Sequence, residues 1–311
     1  MLAIALRPLV LKSLLAIAAA LLLVAPAMAQ TDPNRLFADS KLVVRDRFSD
    51  EIVGKGRDVV FIPGLASSRA TWKATAERLR GKYRLHLIQI AGFSGEPARG
   101  NATGDVLIPT AEAIDGYLVE QKLTPATVVG HSLGGTTLLY IAEQHPTHLK
   151  TAFVVDALPF FGGMQSPTAT VESIRPQAER MRDMMAKGAG VTAAQLAPQM
   201  KAMSKDPATQ HLIAEWGAAS DRTVVARAYY DDMTLDLRPG LPSIRTPIVL
   251  LHPDNVPLGA PAGLMQKVYV DLFAPAPSIT VKLAADSQHF VMLDQPEAFA
   301  KELDAFLAAK P

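Results

Sequence analysis

Gly130-His131-Ser132-Leu133-Gly134 sets a serine between two glycines in a G-x-S-x-G frame. The pentapeptide recurs by chance, and its surroundings are what give it meaning. A β-rich apolar run, Thr127-Val128-Val129, leads directly into it, and a segment of helical pattern, Ser132 to His145, leads directly out. A serine in so sharp a strand-to-helix turn projects its hydroxyl beyond the end of the strand. Strand and helix then approach so closely that Gly130 and Gly134 must lack side chains. Such a hydroxyl attacks well only when an imidazole takes its proton and a carboxylate holds that imidazole in the right tautomer. The backbone N–H of Leu133, at the start of the helix, can donate to the oxyanion that attack creates. A second donor is expected from the loop Pro63-Gly64-Leu65-Ala66-Ser67-Ser68, with the N–H of Leu65 as the candidate.

Seven histidines could serve as the base. His289 is the last of them, lying between the final strand pattern and a C-terminal helical segment, and is the favoured base. His86 lies within a strand pattern, His145 and His148 in a solvated helix end, and His211 in a helical stretch. His131 adjoins the nucleophile but is expected to point elsewhere, and His252 reads as a loop residue. The histidines show no HExxH spacing and the chain has no cysteine, so neither a zinc enzyme nor a thiolate site is expected. Serine chemistry of this kind implies no cofactor and no metal.

The elements around these residues alternate. Strand patterns run over Leu42 to Phe48, Val59 to Ile62 and Arg84 to Ile90, then Thr127 to Val129 and Ala152 to Val155. Helical patterns cover Ala70 to Leu79, Ile108 to Gln121 and Ser132 to His145. Short, fully apolar strands alternating with helices imply a mostly parallel sheet with helices on both faces. From Leu158 to Pro242 the alternation breaks into helical segments: Thr170 to Lys187, Ala193 to Met203, Ala208 to Trp216 and Arg222 to Met233. Strands resume at Pro247 to Leu251 and Ile279 to Leu283, and a helix from Pro296 to Ala308 closes the chain. The division expected is 30–157 and 243–311 for the two parts of a sheet domain, with 158–242 as an all-helical cap inserted before the last two strands.

From about residue 57 to 310 the chain resembles the α/β-hydrolase superfamily. The resemblance rests on Pro63-Gly64-Leu65 with Trp72 downstream, Gly92-Phe93-Ser94-Gly95, and Gly130-His131-Ser132-Leu133-Gly134-Gly135. Ser287-Gln288-His289-Phe290 before Gln295-Pro296-Glu297-Ala298-Phe299 completes it. It implies the α/β-hydrolase fold and a triad in the order serine, acid, histidine, with His289 matching the family's terminal histidine. Two departures stand out: many relatives have His-Gly in place of Pro63-Gly64, and many have Gly-x-x-Asp where this chain reads His252-Pro253-Asp254-Asn255. The acid is accordingly open between two residues. Asp254 follows the penultimate strand, the usual place in the superfamily, and is preferred; Asp156 ends the strand after the nucleophile helix, as in some lipase-like relatives. Asp286 is too near His289 in sequence to face it readily.

Of 311 residues about half are hydrophobic, enough for a sizeable core, and the formal net charge of +1 suggests neither nucleic acid nor an anionic membrane as partner. Residues 1–29 read as a signal peptide: Arg7 and Lys12, the apolar run Ser13 to Ala25, and Ala27-Met28-Ala29 before Gln30. The run is shorter than the ~20 residues that span a bilayer, so no stable membrane anchor is expected after cleavage. Cleavage removes two cations and turns the net charge to −1. An exported protein, periplasmic or secreted, without disulfides must rely on core packing.

Phe160 and Phe161 enter the helical segment, where Met181, Met184, Met185, Met200 and Met203 recur. These methionines suit either an adaptable apolar pocket or plain packing. Phe160, Phe161 and Met184 are the candidate substrate contacts. The expected function is a serine hydrolase forming an acyl-enzyme on a small to medium, fairly apolar ester. The alternatives are other chemistry on the same triad (amide, lactone or C–C hydrolysis, or cofactor-free peroxidation) and a non-catalytic ligand-binding protein on the same fold.

Overall fold

The structure is a computed structural model, and it describes residues 34–165, 168–187, 190–254 and 263–309. The leader at 1–29 and its junction before Gln30 lie outside the described residues. Among the described residues no helix is long and apolar enough to cross a membrane.

Eight strands form one sheet: β1 (Lys41–Val44), β2 (Phe48–Gly54), β3 (Arg57–Ile62), β4 (Tyr83–Ile90), β5 (Ala126–His131), β6 (Leu149–Val155), β7 (Ile248–Pro253) and β8 (Ile279–Ala284). Their order is β1-β2-β4-β3-β5-β6-β7-β8. The first three strands of that order pair antiparallel, and the remaining pairs are parallel. The single strand expected over Leu42 to Phe48 is instead the ends of two, because the chain turns between Val44 and Phe48 and Gly54 ends the hairpin's second strand at φ +88°. Successive residues of β3 feed opposite faces, as the period of two requires. Val60 and Ile62 join a core with Val128, Val154 and Leu250, whereas Val59 and Phe61 join Trp72, Phe153 and Phe299. Burial on both faces explains why these strands read as continuous apolar runs.

The helices α1 (Lys73–Leu79), α2 (Leu107–Glu120) and α3 (Leu133–Gln144) lie where the pattern put them. Between β6 and β7 come four helices and no strand among the described residues: α4 (Val171–Ala186), α5 (Ala193–Met200), α6 (Pro207–Ala219) and α7 (Arg222–Thr234). Their starts follow side-chain capping, with Thr170 and Thr192 closing capping boxes and Asp206 and Asp221 accepting from the first-turn N–H groups. After β7 an unanticipated helix, α8 (Leu264–Phe273), precedes β8, and α9 (Val291–Asp294) and α10 (Pro296–Ala308) close the chain.

The α7 helix is tied to the sheet domain. Its Asp231 carboxylate accepts the N–H groups of Val106 (2.6 Å) and Leu107 (3.0 Å) at the start of α2, and Asp221 N–H donates to Gly92 O (2.7 Å).

Candidate active site

Ser132 occupies the turn between β5 and α3 with φ +52° and ψ −122°, a strained conformation for a residue with a side chain. The surrounding backbone enforces it. Ser132 N–H donates to Val155 O at 2.9 Å, and Ser132 O accepts from Gly135 and Thr136 as the helix begins. A methyl group at Gly130 would lie 2.4 Å from Gly134 O, and one at Gly134 would lie 2.4 Å from Ile62 O. Both glycines are therefore demanded by close backbone approach. Leu133 is the first residue of α3, so its N–H has no intrahelical carbonyl to bond. The loop carrying Leu65 lies beside the nucleophile: a Cβ on Gly64 would come within 3.0 Å of Ser132 Cβ.

His289 comes from the loop between β8 and α9. Its Nδ1 lies 2.5 Å from Asp156 Oδ2. A carboxylate in its ionised form can only accept, so Nδ1 carries the hydrogen, which in the neutral ring leaves the lone pair on Nε2. The preference for Asp254 as partner of His289 is overturned. Asp254 stands exposed at the end of β7 and makes no hydrogen bond or ion pair among the described residues. Asp156 directly follows β6, the immediate neighbour of the nucleophile strand β5, and its carboxylate is turned to His289, whereas Asp254 follows β7, one strand further out, with its side chain in solvent. Asp286 is likewise engaged elsewhere, with Lys205.

Asp156 is itself held. Tyr269, from α8, donates its hydroxyl to Asp156 Oδ1. The Tyr269 ring stacks on His252 at 4.4 Å between centroids, and His252 Nε2 lies 2.8 Å from Gln266 Oε1. Burial pushes the Asp156 carboxyl up, but His289 and the Tyr269 hydroxyl outweigh it and hold the group below the usual carboxylate range. His252 is thus a fully buried strand residue rather than the loop residue expected. The helix that supplies Tyr269 carries a helical pattern (Leu264, Met265, Val268, Tyr269, Leu272 and Phe273), although no helix was expected there.

His131 also differs from expectation, because it faces the triad region. Its Nε2 lies 3.0 Å from His289 O, and its ring packs on those of His289 (4.5 Å) and Phe290 (4.6 Å). Burial, with the adjacent His289, drives its pKa down to about 3, so the ring is neutral. A carbonyl oxygen only accepts, which puts the hydrogen on Nε2 and leaves the buried Nδ1 without a partner. His131 therefore props the backbone of His289.

The candidate substrate contacts separate. Phe160 is buried among Ala169, Ile174, Ala178 and Met233, beneath Arg238, and so packs the inserted helices. Met184 is 61% exposed on α4. Phe161 is half-buried, edge-on to Tyr229 at 6.4 Å. A residue without a motif, Asp232 of α7, approaches the site from the inserted helices: its carboxyl lies by the Thr136 hydroxyl in the field of His289, and its Oδ1 is buried without a partner.

The model of the Alpha/beta hydrolase family matches residues 59–302, which span every residue of this site. The chain belongs to that family. Among relatives, this hydrolase is 26% identical over 274 residues to the pimeloyl-[acyl-carrier protein] methyl ester esterase of Vibrio atlanticus, covering 82% of this chain and 96% of that one. The enzyme of the same name from Aeromonas hydrophila is 32% identical over 114 residues, 36% of this chain and 42% of its own. Among solved structures, a hydrolase from Pseudomonas aeruginosa superposes with a TM-score of 0.70 at 15% identity, covering 88% of this chain and 99% of that one. A thermophilic esterase from Thermogutta terrifontis does so with a TM-score of 0.67 at 21% identity, covering 86% and 98%.

Proposed function

We propose that this hydrolase is an exported carboxylic ester hydrolase working through an acyl-enzyme on Ser132. The observation that carries the reading is the His289–Asp156 pair, 2.5 Å apart, with Asp156 directly following Val155, whose carbonyl holds the N–H of Ser132 in its strained elbow. His289 Nε2 takes the hydroxyl proton as Ser132 Oγ attacks the ester carbonyl, and Asp156 stabilises the imidazolium. The N–H groups of Leu133 and Leu65 receive the oxyanion. Return of the proton to the leaving alkoxide releases the alcohol, and water, activated by the same imidazole, then frees the acid and regenerates Ser132. The curated relatives act on a methyl ester, which supports an ester over an amide. The helices at 158–242 serve as the cap that selects a small to medium, fairly apolar acyl group.

A purified sample should react with a fluorophosphonate probe and hydrolyse short-chain esters. Ser132→Ala should stay folded, lose probe labelling and lose kcat by about 10⁶. Ester turnover within about tenfold of the parent would remove Ser132 from the role. Export rests on Arg7, Lys12, the apolar run and Ala27-Met28-Ala29, and N-terminal sequencing should find the mature chain starting at Gln30.

A further inference from the structure

His145 and His148 stand at the far end of α3 from Ser132, about 18 Å along the helix at 1.5 Å per residue. They flank Pro146-Thr147 in a tight turn in which His148 N–H donates to His145 O (2.9 Å) and His145 N–H to Ile141 O (2.8 Å). That turn stacks the two imidazoles almost parallel, 5.3 Å apart with 5° between planes. Both face acids on α2. His148 Nδ1 is 2.9 Å from Asp115 Oδ1, and His145 Nε2 is 3.1 Å from Glu112 Oε2 and 3.8 Å from Asp115 Oδ2. One ligand atom each from Asp115, His145 and His148 falls within 4.8 Å of the others.

We infer that Glu112, Asp115, His145 and His148 form a binding site for a borderline divalent cation of the zinc type. Two imidazoles and two carboxylates are the donor set such an ion takes, as four ligands at about 2.0–2.2 Å and hence about 3.3 Å from one another. Asp115, His145 and His148, whose ligand atoms lie within 4.8 Å of one another, need to close by at most about 1.5 Å, within reach of partly buried imidazoles. Glu112, which now meets only His145 of the three, would swing in as the fourth ligand. The acids are oriented in advance. Asp115 is nearly buried, and Glu112 accepts the Tyr140 hydroxyl at 2.7 Å, the kind of outer hydrogen bond that fixes a ligand carboxylate. The carbonyl end of α3 adds favourable potential for a cation. Bound there, the ion would clip α2 to the turn before β6 and stabilise the fold, leaving the chemistry at Ser132 untouched.

Zinc chloride titrated calorimetrically into chelator-treated full-length protein tests this. One zinc should bind per chain at micromolar or lower Kd, and the melting temperature should rise with zinc concentration. His145→Gln and His148→Gln should each weaken binding at least about tenfold, and the double variant should abolish it. His211→Gln, which removes the exposed His211–Glu215 pair, should leave it unchanged. Circular dichroism reports folding. Should the double variant misfold, His145→Gln alone decides, since the polar and ring partners of its side chain are Glu112, Asp115 and His148. No binding up to about 100 μM zinc, undiminished binding in His145→Gln, or loss in His211→Gln would each overturn the site.

Discussion

Asp156 and Asp254 have the same functional group and both follow a strand at the carboxyl edge of the sheet, yet only one meets His289. Replacing the partner of the imidazole by asparagine preserves shape while inviting the wrong tautomer, at a cost of about 10⁴ in kcat. Asp156→Asn should show that loss in steady-state ester hydrolysis, and Asp254→Asn should stay within a few-fold of the parent. A collapse in Asp254→Asn with Asp156→Asn active would place the acid after β7. The turn that holds Ser132 and Leu133 and the loop that carries His289 were legible in the sequence because each is marked by its own local motif. The acid was left between two residues, because two strand ends each carry an aspartate and which of them turns to His289 is decided by packing between segments 133 residues apart. Tyr269 lies on a helical pattern from Leu264 to Phe273, but its hydroxyl reaches Asp156 across 113 residues of chain, a contact no local pattern shows.

Strand pairing carries its own titratable device. His86 of β4 is buried, with Nδ1 2.7 Å from Asp50 Oδ2 on β2 and Nε2 3.1 Å from Asp58 Oδ1 on β3, while the Tyr117 hydroxyl donates to Asp50 Oδ2 at 2.8 Å. Burial pushes the His86 pKa down, but its bonds to Asp50 and Asp58 prevail and raise it above the ordinary value of 6.5. With the folded pKa above the unfolded one, the contribution to stability is complete below 6.5 and is lost as pH rises through the folded pKa. His86→Gln should therefore lower the melting temperature more at pH 5.5 than at pH 9, a difference read from thermal scans at the two pH values. Equal losses at both would mean that the imidazole is not charged in the fold. Sequence pattern placed His86 correctly in a strand, because Leu85 and Leu87 alternate with it. It could not reveal the flanking acids, since Asp50 reaches it through the antiparallel pairing of β2 with β4 and Asp58 through the parallel pairing of β3 with β4.

Helix α7 meets the nucleophile helix where Asp232 of α7 faces Thr136 of α3. Burial is the main cause that raises the Asp232 pKa to about 6; the Thr136 hydroxyl and His289 pull it down, and Asp231 pushes it up. A carboxyl whose folded pKa exceeds its unfolded one near 3.8 costs stability once ionised. That cost grows as pH rises between the two values and stays constant above about 6. The same ionised group lies in the field of His289, where negative charge favours the imidazolium that forms during attack. Stability and activity are therefore opposed at this residue, as is common where an active site holds a destabilised group. Asp232→Asn should raise the melting temperature at pH 8, leave it nearly unchanged at pH 4, and lower kcat for ester hydrolysis at pH 8. Thermal scans at the two pH values, paired with initial rates, separate the effects. A variant no more stable at pH 8 would mean that the carboxylate is not strained by burial. One that gained stability without losing kcat would mean that its charge does not reach His289.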